Sequence, residues 1–493
     1  MPLFHGFGVR LALAVTCLMV GCRTPQRSSI ATIQPSPRAD VGLARSHNGF
    51  ETEEAPSAIL PVVHETGEVM SIADQPDADD PFAGAAELPL DVLVAAVQAR
   101  NPSLHAAQAA WSAAAERYPQ AVALDDPMFQ SMFAPASFSS SSPVQSSYYL
   151  GMAQRVPWHG KRDLRGQMAQ WEANAMSWDT QEVRLRLAST TRMAFFDYYL
   201  VHRELELNTK NVDVMQDFRS TAKSKYEANQ VSQQDLSSAD LELAKLQQQR
   251  LELEQSEQTT VARINTLLHR RPDHPLPMPP QSLSVETPLP EAVVLRELAH
   301  EHRPELSALA ARIQSEQNAV TLACKEYYPD FEFMARYDAF WTDTQQRPQV
   351  GMNMNVPLNR TRRAAAVREA QFRVSKLIAE YSQQQDSVNE EVQIASVRVQ
   401  ANQKAAGLFE DRILPAADAN LDAARAAYIA GSIDFLRLME ARRQFIEQQI
   451  GYQRTLTEYH RSRSDLERAL GTQIGQTVGS SPLEEPMPVT SEP

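Results

Sequence analysis

GMAQRVPWHGKR fills Gly151–Arg162, and GMNMNVPLNRTR fills Gly351–Arg362. Gly, Met, Val, Pro and the final Arg recur in register, 200 residues apart. Val350, Met352, Met354 and Val356 alternate with Gln349, Gly351, Asn353 and Asn355, which is the period of a strand with two different faces. A Pro then ends the hydrogen-bond ladder and, with its φ preset, opens a helix. The two segments read as one strand-to-helix passage made twice, with Pro157 and Pro357 at the junctions.

Upstream of the second copy, DFEFMARYDAFW from Asp330 alternates in the same way. Phe331, Phe333, Ala335, Tyr337, Ala339 and Trp341 share one face; Asp330, Glu332, Met334, Arg336 and Asp338 share the other. TDTQQRP supplies the turn of a hairpin. In the first copy Phe129 and Phe133 lead into a Ser-rich turn, and Tyr148, Leu150 and Met152 lead out, with their facing left open. An apolar face opposite a charged one suits lipid outside and water inside, and strands of about ten residues match a tilted span. A half-buried soluble hairpin has the same pattern. Closure separates the two: a sheet in lipid cannot leave an open edge, and four strands cannot close a barrel. A chain with four spanning strands must borrow from copies of itself, and three copies give twelve strands with cyclic symmetry.

The duplication extends beyond the strands. Pro102 and Pro127 are 25 residues apart, as are Pro304 and Pro329. Tyr226-Glu227-Ala228-Asn229 matches Tyr428-Ile429-Ala430-Gly431. The landmarks define two repeats, 86–285 with strands at about 127–156 and 286–472 with strands at about 330–356, each ordered helix, strand, strand, long helix, shorter helix. Residues 159 to about 225 and 360 to about 427 hold few breakers, and roughly 65 helical residues extend roughly 100 Å. The returning helices carry heptads. Leu438, Phe445, Tyr452, Tyr459 and Leu466 form one series, and Ala239, Leu246, Leu253, Thr260 and Leu267 another, with small or polar residues at neighbouring seam positions. Such seams favour helices packed side by side into a tube, although a plain antiparallel coiled coil has the same spacing.

The ends of the chain differ from its middle. Arg10 precedes the apolar run LALAVTCLMV, which reads as a secretory signal over 1–21. Met19-Val20-Gly21-Cys22 resembles the bacterial lipobox, whose Cys is acylated; the competing reading is an ordinary signal peptide with an incidental Cys. Residues 22–85 and 473–493, rich in Pro, Ser and acids without a period, are expected to be a disordered linker and tail. With Cys17 in the signal and Cys22 lipidated, Cys324 has no disulfide partner.

The order, duplication and spacing over about 88–472 resemble the TolC-like outer membrane efflux family, lipidated members included. The resemblance implies a mainly α protein with membrane β: a homotrimer whose twelve-stranded barrel, four strands per protomer, continues into a long α-helical barrel across the periplasm. It implies passive conduction, fed by a periplasmic adaptor and an inner-membrane pump. It places the helical tips at 226–235 and 428–434, so that Asn229, Ser232, Asp235, Gly431 and Asp434 would meet the adaptor. Acidic residues just after the second tip line the closed aperture in relatives; Glu440 matches one such position, and Arg437 stands where some relatives have a second acid. A mixed Arg437/Glu440 girdle closed by intersubunit ion pairs is the alternative to an acidic double ring, and the competing reading is a plain cap at Asp434 and a solvated Glu440.

The remaining chemistry is sparse. HEH at His300–His302 and HRRPDH at His269–His274 lack a complete metal-ligand set, and no phosphate-cradling Gly loop, GxSxG or CxxC occurs. No enzyme activity, cofactor or metal site is expected. The net charge of -14 gives nucleic acid no basic stripe. The competing function is a lipid-anchored periplasmic coiled-coil adaptor or structural protein without a pore.

Overall fold

The computed structural model describes residues 81–82, 84–138, 147–227, 232–285 and 289–474, all within the unit Met70–Pro493. The expected signal peptide, Cys22, Asn229, and nearly all of the 22–85 and 473–493 segments lie outside the described residues.

The alternation in the sequence becomes a four-stranded antiparallel sheet in chain order: β1 (Met128–Phe133), β2 (Tyr148–Val156), β3 (Phe331–Asp338) and β4 (Pro348–Met354). Side chains of directly paired residues share a face. Phe129 pairs with Met152, Met152 with Ala335, and Ala335 with Val350. One face therefore gathers Phe129 and Phe133, Leu150 and Met152, Phe331, Phe333 and Tyr337, and Val350, Met352 and Met354. This settles the first hairpin, whose facing the sequence left open. The opposite face carries Arg155, Glu332, Arg336, Asp338, Gln349 and Asn353. The apolar face is uncovered: Phe129 is 67% exposed and Val350 89%.

The sheet runs into helices. The first repeat has α1 (Leu90–Arg100), α2 (Pro102–Ala115), α3 (Arg117–Val122), α4 (Lys161–Glu227) and α5 (Gln233–Leu267). The second has α6 (Ala292–His302), α7 (Pro304–Lys325), α8 (Arg360–Leu408), α9 (Leu414–Ile429) and α10 (Phe435–Leu470). At 67 residues, α4 is about 100 Å long. Its counterpart departs from the uninterrupted helix expected over 360–427. A π-helical turn, Phe409–Ile413, separates α8 from α9, and Leu414 N–H donates five residues back to Phe409 O. The cause is Pro415, which has no N–H and whose ring would strike the carbonyl four residues earlier; the wider turn moves that carbonyl aside.

The duplication is repeated in side-chain bonds. Pro102 and Pro304 each open a helix at its first position. The residue before each Pro reaches back to the end of its repeat's last helix. Asn101 Nδ2 donates to Leu267 O at 2.9 Å, and Arg303 NH1 donates to Ala469 O at 2.9 Å. Two apolar clusters surround these pins. Leu93, Val97, Phe195, Phe196 and Ile264 belong to the first, and Leu295, Val388, Val392, Tyr459 and Leu466 to the second. The heptad residues Ala239, Leu253, Thr260, Leu438, Tyr459 and Leu466 are buried, as their spacing requires.

Candidate functional site

The polar face of the sheet is built by cross-strand contacts. Arg155 stands opposite Glu332 in the β2–β3 register. Arg336 donates through Nε to Gln349 Oε1 at 2.9 Å, lies 3.5 Å from Asp338, and sits 5.5 Å from the Tyr149 ring centroid. Asn353 Nδ2 donates to Glu332 Oε2 at 3.1 Å. Cations and carboxylates thus alternate along a wall that can face water. The recurrent glycines explain how the wall closes up. A Cβ on Gly151 would lie 2.6 Å from Arg336 Cβ, and one on Gly351 would lie 3.2 Å from Met334 Cγ. Glycine is used where strands crowd on the polar face.

Pro157 and Pro357 sit one and three residues past the last β2 and β4 residues. Beyond Pro157, Trp158 N–H and Lys161 Nζ both bind Asp330 Oδ1, at 2.9 and 2.8 Å. Lys161 is fully buried, and its ammonium is satisfied by Asp330, by Tyr328 O at 3.3 Å and by Glu326 at 3.5 Å. A buried ammonium with fewer partners would be costly. The junction of the first repeat is thereby tied to the strand start of the second. Arg162 donates to Val122 O at the end of α3, and Arg363, not Arg362, makes the matching bond to Glu326 O at the end of α7. The sequence register places Arg162 with Arg362. The bonding partner shifts by one because Gly160 makes a positive-φ turn before α4, whereas Asn359 caps α8 directly.

At the far end of the helices, Ser232 and Asp235 form a reciprocal capping box on α5. Gly431 has φ +71, Ser432 N–H donates to Ala427 O, and Asp434 accepts Arg437 N–H as the N-cap of α10. Met215, Ala239, Phe435, Leu438 and Met439 hold the two tips together. Arg437 and Glu440 are both exposed, one turn apart on α10. Glu440 accepts from Arg443 and Gln444, at 3.3 and 3.4 Å. Among the described residues no ion pair joins Arg437 to Glu440 within the chain. Sequence reasoning missed the ties between α10 and its neighbours. Arg442 donates to Asn211 at 3.1 Å, Arg454 to Glu204 at 2.7 Å, and Arg443 lies 3.5 Å from Glu242. Lys225 Nζ sits 4.1 Å over the Tyr428 ring. The partners are far apart in sequence, so no local pattern announces them.

The histidines singled out in the sequence do not converge. His300 Nε2 meets Asn389 Oδ1 at 3.0 Å, and His274 Nδ1 lies 3.0 Å from Pro275 O. Among the described residues no group of three or more His, Cys, Asp or Glu is placed to hold a metal ion, and no helix is long and apolar enough to cross a membrane.

Residues 295–472, which span the second repeat from within α6 to the end of α10, match the family described as outer membrane efflux protein. The fold is that of the outer membrane efflux proteins. The efflux-protein fold extends over both repeats in solved structures. The outer-membrane channel OprN matches with a TM-score of 0.67 at 18% identity, over 80% of this chain and 97% of that one. VceC from Vibrio cholerae matches with a TM-score of 0.66 at 18% identity, over 78% and 96%. The open state of the MtrE channel from Neisseria gonorrhoeae matches with a TM-score of 0.65 at 16% identity, over 78% and 89%. At these identities the likeness is one of fold. No curated protein matches the sequence.

Proposed function

We propose that this efflux protein is the passive outer-membrane duct of a tripartite system, carrying small molecules or ions from a periplasmic adaptor and an inner-membrane pump to the exterior. One observation carries the reading. Among the described residues the sheet has only four strands and two open edges, and it exposes an apolar face on one side and a charged face on the other. Those edges need partners in lipid, and three copies supply a closed ring of twelve strands. The long helices extend the ring as a tube. The alternative, a pore-less coiled-coil adaptor with its hairpins packed on its own rods, would cover the apolar face; here it is bare.

Acylated Cys22 anchors the chain to the same membrane. Ser232, Asp235, Gly431 and Asp434, with Asn229, present the tips to the adaptor. Arg437 and Glu440 ring the aperture; among the described residues Arg437 makes no ion pair within the chain, and Glu440 exchanges its contact with Arg443 for one with a neighbouring copy. The test is conductance of the purified protein in planar bilayers, run beside its heat-modifiability on a gel. A heat-modifiable trimer that conducts supports the duct; a folded trimer without conductance, or a monomer soluble without detergent, refutes it. Replacing Arg437 and Glu440 together by Ala should raise resting conductance, and an unchanged value removes them from the gate.

A further inference from the structure

A groove of about 420 Å³ opens where the apolar face of the sheet meets the helices of the first repeat. This is the size range of small-molecule sites. Val156, Phe331 and Phe333 form its upper wall and continue the lipid-side face without a break. Trp158 stands at the turn, stacked on Tyr328 at 5.2 Å and against Phe331 at 5.8 Å, so its indole is held in place. Below it, the consecutive residues Arg162 and Asp163 both line the lower edge, with the exposed His159 nearby. Arg162 uses Nε and NH2 on Val122 O, which leaves its NH1 protons for another acceptor. The exposed Asp163 carboxylate has no side-chain partner among the described residues. The second repeat has Leu358, 82% exposed, where the first has Trp158.

We propose that this groove seats one phospholipid of the periplasmic leaflet, with an ethanolamine headgroup, on each copy of the chain. The inference rests on the reading of the sheet as membrane-spanning. An acyl chain lies along Val156, Phe331 and Phe333. Trp158 takes the interfacial depth that indoles favour. The phosphate meets Arg162, and the ammonium meets Asp163. An adjacent cation and carboxylate match a zwitterion; a headgroup with phosphate alone would face the carboxylate unpaired.

The test uses the full-length protein in vesicles doped with phospholipid brominated on its acyl chain, bearing either an ethanolamine or a glycerol headgroup. Trp158 is one of five tryptophans. Its signal is isolated by subtracting the Trp158→Phe variant. Half-maximal quenching of Trp158 should need about fivefold less ethanolamine lipid than glycerol lipid, the ratio one charge contact at a membrane surface provides. Asp163→Asn should bring the two lipids level, and Asp163→Lys should reverse their order. Equal quenching by both lipids in the unaltered protein would reduce the groove to general lipid contact and overturn the proposal. A preference for the glycerol lipid would overturn the headgroup assignment. Conductance of the same vesicles separates this site from the duct: a conducting protein whose Trp158 is unquenched loses the lipid site alone, whereas a protein that does not insert loses both.

Discussion

Gly151 shows how one missing atom can set the shape of a wall. The position a Cβ would take is 2.6 Å from Arg336 Cβ, an atom fixed to its backbone, so the clash can be relieved only by moving a strand. At Gly351 the nearest atom is Met334 Cγ at 3.2 Å, part of a flexible chain that can swing away. Gly151→Ala is therefore expected to lower stability by about 1–3 kcal/mol, and Gly351→Ala by less than half of that. The temperature at which the heat-modifiable species is lost in detergent measures both, and equal shifts would contradict the crowding argument. A second residue-scale consequence concerns acid. Burial, and then the nearby Arg463, push the His460 imidazole down to about 4, while its ring stacks 5.2 Å from Phe196. The folded chain thus keeps His460 neutral between pH 6.5 and 4, where the unfolded chain takes up the proton. Because the folded value is the lower one, this contribution is intact above pH 6.5 and is lost as pH falls toward 4, at most about 3 kcal/mol. His460→Phe should flatten that part of the stability-versus-pH curve relative to the unaltered protein, and an unchanged curve would mean the imidazole is not the group responsible.

Among the elements, the two returning helices are held by different chemistry at equivalent places. Asn101 makes a neutral bond to the end of α5. Arg303, 2% exposed, binds the end of α10 while pairing with Glu305 and Glu391, both at 2.8 Å. Arg303→Met should cost about 2–4 kcal/mol, below the full figure for a broken buried pair because both carboxylates keep some water. Asn101→Ala should cost about 1–2 kcal/mol, because it loses both this bond and the cap that Asn101 Oδ1 makes on Ser103 N–H at the start of α2. Comparing the two melting shifts checks the order, and a larger loss at Asn101 would reverse the assignment. That duplicated pin was half legible in the sequence. The prolines at 102 and 304 marked both helix starts, and the period-two runs marked β3 and β4, because both signals are local. The Asn101 and Arg303 bonds span 166 residues and leave no local trace. Pro415 was visible as a breaker, yet whether it kinks, ends or bulges a helix depends on how the carbonyl before it is accommodated. The cap at Asp434 followed from residue type and position. The partners of Arg442 and Lys225 did not, since they depend on which helices become neighbours.

For the whole molecule, the charge on the polar face of the sheet decides what a closed ring would do to ions. Each copy places Arg155 and Arg336 on that face with Glu332 and Asp338, and these interleave through the 3.5 Å Arg336–Asp338 approach and the Arg155–Glu332 register. In a ring of three copies the four charges cancel at every level, so this wall adds little preference for either sign of ion. Arg336→Gln keeps a hydrogen-bonding group opposite Gln349 but leaves one uncompensated carboxylate per copy, a net change of three charges around the ring. The reversal potential under a salt gradient should then move toward cation preference relative to the unaltered channel. With all other surfaces shared, the difference reports the barrel alone. The shift should be large at 0.1 M salt, where screening extends over about 10 Å, and nearly vanish at 1 M, where it falls to about 3 Å. A shift toward anions, or one insensitive to salt, would mean that the polar face of the sheet does not line the conduction path, and with it the assignment of inside and outside would fall.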